Sequence, residues 1–157
     1  MRPLSTILLL LAIILIPQRA FSQEITGKWR GYFSPNNSSG SKVFTYEVNF
    51  TPTNGSTLSI TTLSKLNNEF AAKAYGSGSI NGAMLQFNET SFDMIKLGSS
   101  SQGCLMTCYL NYKNIRGLDI LEGTYTSQST DGVKDCGGGT IYLQKNQSVE
   151  KIIADIT

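Results

Sequence analysis

An all-β chain is predicted: an eight-stranded antiparallel up-and-down β-barrel followed by a short C-terminal helix. Two observations lead there. Short runs of apolar–polar alternation recur from Gly27 to Lys145, the period of a strand with one face buried. Glycine-containing dipeptides, Asn54-Gly55 and Asn81-Gly82, separate such runs at hairpin spacing. A third observation sets the tail apart: Val149, Ile152, Ile153 and Ile156 follow the i, i+3, i+4, i+7 spacing of one helix face.

The first strand spans 27–33, with Trp29, Gly31 and Phe33 on one face. The Ser-, Asn- and Gly-rich stretch 34–41 reads as a loop. In the second strand Phe44, Tyr46, Val48 and Phe50 alternate strictly with Thr45, Glu47, Asn49 and Thr51. The third, 57–62, points Leu58 and Ile60 inward. The fourth, 70–80, offers Phe70, Ala72, Ala74 and Gly76 as one inner face, and Gly76 and Gly78 suggest a bend or bulge. The fifth covers 83–88. From Glu89 to Gly103 the alternation lapses, which predicts a long loop. The sixth runs over 104–112 with Cys104, Met106, Cys108, Leu110 and Tyr112 on one side, the seventh over 118–126 and the eighth over 139–145.

Successive loops of a meander fall at alternating ends. The short connections, 52–56, 81–82 and 113–117, share the Trp29 end. The long ones, 34–41, 89–103 and 127–138, share the other. A sealed end opposite a set of loops on a rigid scaffold is where binding is expected.

Residues 1–22 read as a signal peptide. Arg2 precedes an apolar run of about ten residues, Pro17 ends it, and Ala20-Phe21-Ser22 offers small residues at a cleavage site. The run is too short to span a bilayer. The expected mature domain, 23–157, is a single unit, located in a periplasm, at the cell surface or secreted. Cleavage would remove Arg2 and Arg19 and no acid, leaving eleven basic against eleven acidic side chains. A neutral domain gives no electrostatic footprint for nucleic acid or anionic membranes.

Three cysteines in an exported chain predict one disulfide and one thiol. On one strand Cys104 and Cys108 would stand about 13 Å apart, beyond the roughly 7 Å limit for pairing. Cys136 therefore pairs with one of them. The meander puts Cys104 at the same end as Cys136, which favours Cys104–Cys136 and leaves Cys108 as a small apolar core residue.

Gly27-Lys28-Trp29 opening such a meander behind an export signal resembles the lipocalins and the wider calycin group, which includes avidin-like and fatty-acid-binding proteins. The resemblance implies that Trp29 closes the barrel floor and that a basic residue of the last strand packs over it. That residue would be Lys145, where lipocalins usually carry arginine. The Thr-Asp-Tyr motif from the middle of lipocalin chains is missing. An avidin-like biotin site lines its pocket with several tryptophans, and this chain has one.

Nothing in the sequence assembles a catalytic site, and the protein is expected not to be an enzyme. There is no histidine, which excludes Ser-His-Asp and Cys-His catalysis and histidine-bound metals. Glu47, Glu69, Glu89 and Glu122 are scattered along the chain. Asp131 and Asp135 read as solvated loop acids rather than a calcium site. No cofactor or metal is expected. Phe44, Tyr46, Phe70, Met106 and Tyr125 are predicted to line an internal cavity, with Ala72 and Ala74 leaving room opposite them. The expected function is binding of a small apolar or amphipathic ligand in a lipocalin-like barrel. The alternative is a filled barrel acting as an extracellular interaction module, whose mouth loops contact a protein or a glycan. An enzyme of the calycin type would require a Glu, Tyr or Lys converging inside the barrel.

Overall fold

Period-two alternation becomes a closed ring of strands. The computed structural model describes residues 24–36, 42–98 and 103–145. It contains β1 (Gly27–Pro35), β2 (Phe44–Asn54), β3 (Thr57–Leu66), β4 (Phe70–Asn81), β5 (Met84–Lys96), β6 (Cys104–Ile115), β7 (Leu118–Ser129) and β8 (Asp135–Lys145). Each strand pairs antiparallel with its sequence neighbours, and β8 returns to pair with β1, so the barrel has no free edge. The architecture is the expected up-and-down, calycin-like barrel. The signal segment 1–22 and the C-terminal helix expected over 149–156 lie outside the described residues.

The hairpins form where glycine permits them. Gly55 and Gly82 take φ of 57° and 58° in the β2–β3 and β4–β5 turns. Arg116 and Gly117, at 53° and 83°, make the two-residue turn between β6 and β7. These turns share one end of the barrel. The opposite end carries the connections 36–43, 67–69, 97–103 and 130–134.

The end with the short turns is closed from below. Residues 24–26 fold across it, and Ile25 is buried. The Trp29 indole has no exposed surface; its Nε1–H donates to the Ile25 carbonyl at 2.7 Å. Lys145 pairs directly with Trp29 across the β1–β8 ladder. Its ammonium stands 5.8 Å from the indole centroid and donates to the Glu24 carbonyl. Above this plug, Phe50, Leu58, Leu85, Leu110, Leu121 and Leu143 fill the lower barrel. Gly31 faces the same interior, and a Cβ there would lie 1.9 Å from the Tyr142 carbonyl oxygen, so only glycine lets β1 and β8 meet this closely.

Two departures from the sequence reading stand out. Several strands are longer than the alternation suggested; β7 runs on to Ser129 and β8 begins at Asp135. The larger correction concerns 89–103, expected to be a loop: β5 continues through it as far as Lys96. Its pairing with β4 shifts register twice, leaving Thr90 and Asp93 as extra residues on β5. Each bulge resets the phase of alternation, so a real strand loses its period-two signature. Asp93 is held in place by the Lys73 ammonium at 2.7 Å.

At the loop end Cys104 and Cys136 are joined, with Cα atoms 6.3 Å apart and a sequence separation of 32. The bridge ties the starts of β6 and β8 together. In the chain-entropy view a loop of that size is worth roughly 3–4 kcal/mol. Outward positions on β2, such as Thr45, Glu47, Asn49 and Thr51, are polar, the reverse of a lipid-facing barrel. Among the described residues no helix is long and apolar enough to cross a membrane.

Trp29→Phe keeps the ring but deprives the buried Ile25 carbonyl of its donor. The expected loss is about 1–3 kcal/mol of unfolding free energy, read from the urea midpoint. An unchanged midpoint would show that the indole hydrogen bond contributes nothing to closing the barrel.

Candidate functional site

The packed core stops halfway up the barrel. Above it lies a cavity of about 770 Å³ that opens at the loop end. This is within the range that holds a small organic ligand, about 300–1,000 Å³. The sequence creates the space by placing small residues among large ones. Ala72 and Ala74 face inward from β4, and Ser64 and Thr62 from β3. A chain of touching rings shares the wall with them: Phe70 meets Phe44 edge-on at 5.6 Å, Phe44 stacks on Phe33 at 4.7 Å, and Phe33 meets Tyr125 at 5.3 Å. Lys42, Glu69 and Lys96 stand among the lining residues towards the mouth, and the Lys96 ammonium donates to the Asn68 carbonyl at 3.1 Å. The cavity suits a small apolar molecule.

Four of the five residues expected to line the interior do so: Phe44, Phe70, Met106 and Tyr125. Tyr46 does not. Its ring is wholly buried beneath the cavity, edge-on to Phe33 at 5.4 Å, and its hydroxyl is committed to a neighbour. That neighbour is Glu89, a residue the sequence reading left in a loop. Continuing the alternation of Leu85 and Phe87 by one step puts Glu89 inward, and the structure places it there with 8% of its surface exposed. The signal was present but ended in a charged residue, which is rarely buried without a partner.

The wall around Glu89 explains how it is held. β5 pairs with β6 only from Met84 to Asn88, then diverges. The Met106 N–H, which a longer ladder would have taken up, donates instead to Glu89 Oε2 at 3.0 Å. Glu89 Oε1 accepts from the Thr62 hydroxyl at 2.6 Å and the Tyr46 hydroxyl at 3.0 Å. On the other side of β5, Gly76 pairs with Glu89, and a Cβ on Gly76 would lie 1.9 Å from the Asn88 carbonyl oxygen. The bulge at Thr90 then turns Phe92 into the cavity.

Burial pushes the Glu89 carboxyl above its ordinary value, and its three hydrogen bonds oppose the shift without cancelling it. Tyr46 and Cys108 are both pushed well up, first by burial and then by the charge of Glu89. Cys108, fully buried and kept as a thiol, is therefore chemically quiet. Tyr125 is raised to about 12 by burial and by the neighbouring Cys108.

Among the described residues no cluster of three or more His, Cys, Asp or Glu could hold a metal ion. Asp131 accepts from the Ser129 hydroxyl and the Val133 N–H, and Asp135 from the Gly137 N–H at 2.8 Å, so both acids shape the β7–β8 connection. A Glu and a Tyr do converge inside the barrel, but what surrounds them is an apolar chamber with no histidine or metal cluster.

No family model matches the sequence, and no curated protein matches it. Several solved structures share its architecture, two of them engineered or ligand-bound barrels of similar length. One is a redesigned β-barrel, mFAP1, bound to DFHBI: 18% identity, 79% of this chain and 97% of that one, TM-score 0.53. The other is EF1p2_mFAP2b bound to DFHBI: 14% identity, 80% and 96% coverage, TM-score 0.56. At these identities the likeness is one of fold.

The raised Glu89 value has a consequence for stability. Between the ordinary 4.5 and its higher folded value, the folded protein holds this proton more tightly than the unfolded chain. Glu89 therefore contributes most favourably below about 4.5, and that contribution is lost as pH rises through the folded value. Urea midpoints measured across this range should fall more steeply for the wild type than for Glu89→Gln. Equal slopes would contradict the assignment. Tyr46 and Cys108 stay protonated throughout, and the exposed Asp93 and Asp131 titrate alike in both proteins.

Proposed function

We propose that this protein is an exported, lipocalin-like carrier or receptor for a small apolar or amphipathic molecule held in the upper half of its barrel. The observation that carries the reading is the cavity itself, about 770 Å³, walled by Phe33, Phe44, Phe70 and Tyr125 and open at one end. A barrel whose purpose was only structural would gain stability by filling that volume, since unfilled space forfeits packing. Two barrels of similar fold, mFAP1 and EF1p2_mFAP2b, bind DFHBI, which is in keeping with the reading. The Gly27-x-Trp29 opening with Lys145 over the indole supports a lipocalin-type ancestry. The leader-like residues 1–22 support export, into a compartment where the Cys104–Cys136 bridge can form.

A second reading rests on the rim. Met94, Ile95 and Leu97, near the end of β5, are 48%, 38% and 39% exposed. In that reading they contact a protein or glycan, and the cavity is incidental.

The two separate in one experiment. The purified protein is examined for co-purified small molecules by mass spectrometry and titrated with an environment-sensitive apolar dye. Ala74→Leu places three more carbon atoms in the chamber without touching the rim. Dye binding is expected to weaken by about tenfold or more, with the unfolding midpoint unchanged. Equal binding by wild type and Ala74→Leu, or no binding by either, would favour the rim.

A further inference from the structure

We propose that the chamber selects an amphipathic cation: an apolar body whose innermost group is a protonated amine or similar cationic nitrogen, received by the Glu89 carboxylate. The inference rests on the ligand-binding reading above and names the chemistry of the ligand's inner end.

Glu89 is the deepest charged group in the chamber. Going inward along the strands, the lining residues end at Phe33, Thr62, Ala74, Glu89, Met106 and Tyr125. Below them the barrel is solid. The carboxylate has been taken out of water into an apolar surround, which is costly for any unpaired charge. Among the described residues the ion pairs join Lys28 and Arg30 to Glu47, Lys73 to Asp93 and Lys113 to Glu122; none reaches Glu89. The lysines of the chamber, Lys42 and Lys96, belong to its mouth.

The hydrogen bonds suit the ionised form of the acid. A carboxylate offers about four acceptor positions. The Met106 backbone N–H can only donate, and it fixes Oε2 as an acceptor. Thr62 and Tyr46 both direct hydroxyls at Oε1. Three positions are thus filled by donors held in rigid strands, and one on Oε2 remains on a carboxyl that lines the chamber. A cationic N–H makes the strongest bond available there, because it is charge-assisted and shielded from water. A neutral hydroxyl would bond more weakly, and a carboxylate would be repelled. The ring faces of the wall add attraction for positive charge and cover the apolar body.

The test uses three probes of equal length that differ only at one end: decylamine, decanol and decanoate, titrated calorimetrically into the purified protein near neutral pH. Decylamine is expected to bind about tenfold more tightly than decanol, with decanoate weakest. In Glu89→Gln, the advantage of the amine over decanol should disappear. Equal binding of amine and alcohol, preference for decanoate, or an amine preference that survives Glu89→Gln would overturn the proposal while leaving the cavity a binding site. Failure of all three probes to bind would overturn the ligand-binding reading itself, and this inference with it. The wild-type ranking decides alone should Glu89→Gln not fold.

Discussion

Closure of the ring at Trp29 is the constraint on which everything else depends. β1 and β8 come from opposite ends of the described chain, and their ladder is what turns a meander into a barrel. Trp29 and Lys145 are partners in that ladder. The indole binds the carbonyl of Ile25 and the lysine binds that of Glu24, so one pair of side chains both joins the seam and pulls the entry segment across the floor. Tyr112 braces the indole edge-on at 6.5 Å. With that end stopped, the chamber opens at the loop end and the lower half packs as an ordinary core.

What the barrel does follows from how far up that packing reaches. Glycines at inward positions let strands approach and let Phe50 and Phe87, 5.5 Å apart, occupy the axis. Higher up, β3 and β4 present Thr62, Ser64, Ala72 and Ala74, which are too small to fill the barrel. The transition falls at the layer of Tyr46, Thr62 and Glu89. There a polar triad takes the place of aliphatic side chains, with the Tyr46 and Thr62 hydroxyls both bonded to Glu89 Oε1. The chamber is therefore apolar along its sides and polar at its base. The disulfide at the mouth holds β6 and β8 in place around the opening.

Much of this was legible in the residues. β2 could be read outright, because Phe44 to Phe50 alternate without interruption. The ends of the barrel followed from loop lengths, and the bridge from Cys104 to Cys136 followed from which strand starts share an end. The far half of β5 was hidden for a physical reason. It has one hydrogen-bonded neighbour rather than two, and the bulges at Thr90 and Asp93 shift its phase. Glu89 lies at the edge of that hidden stretch, where the lapse in alternation disguises the most informative residue of the chamber. Tyr46 is indistinguishable from a cavity residue in sequence because inward aromatic residues share one pattern. Only the contact with Glu89 shows that its hydroxyl is already used.

The barrel is solid on the Trp29 side of Tyr46 and hollow on the other. A crystal structure of the protein soaked with iodobenzene tests it directly, since the anomalous signal of iodine locates the probe without interpretation. The expected result is iodine within the ring of Phe44, Phe70 and Tyr125, above the Glu89 carboxylate. Iodine lodged beside Trp29, or none inside the barrel, would contradict it.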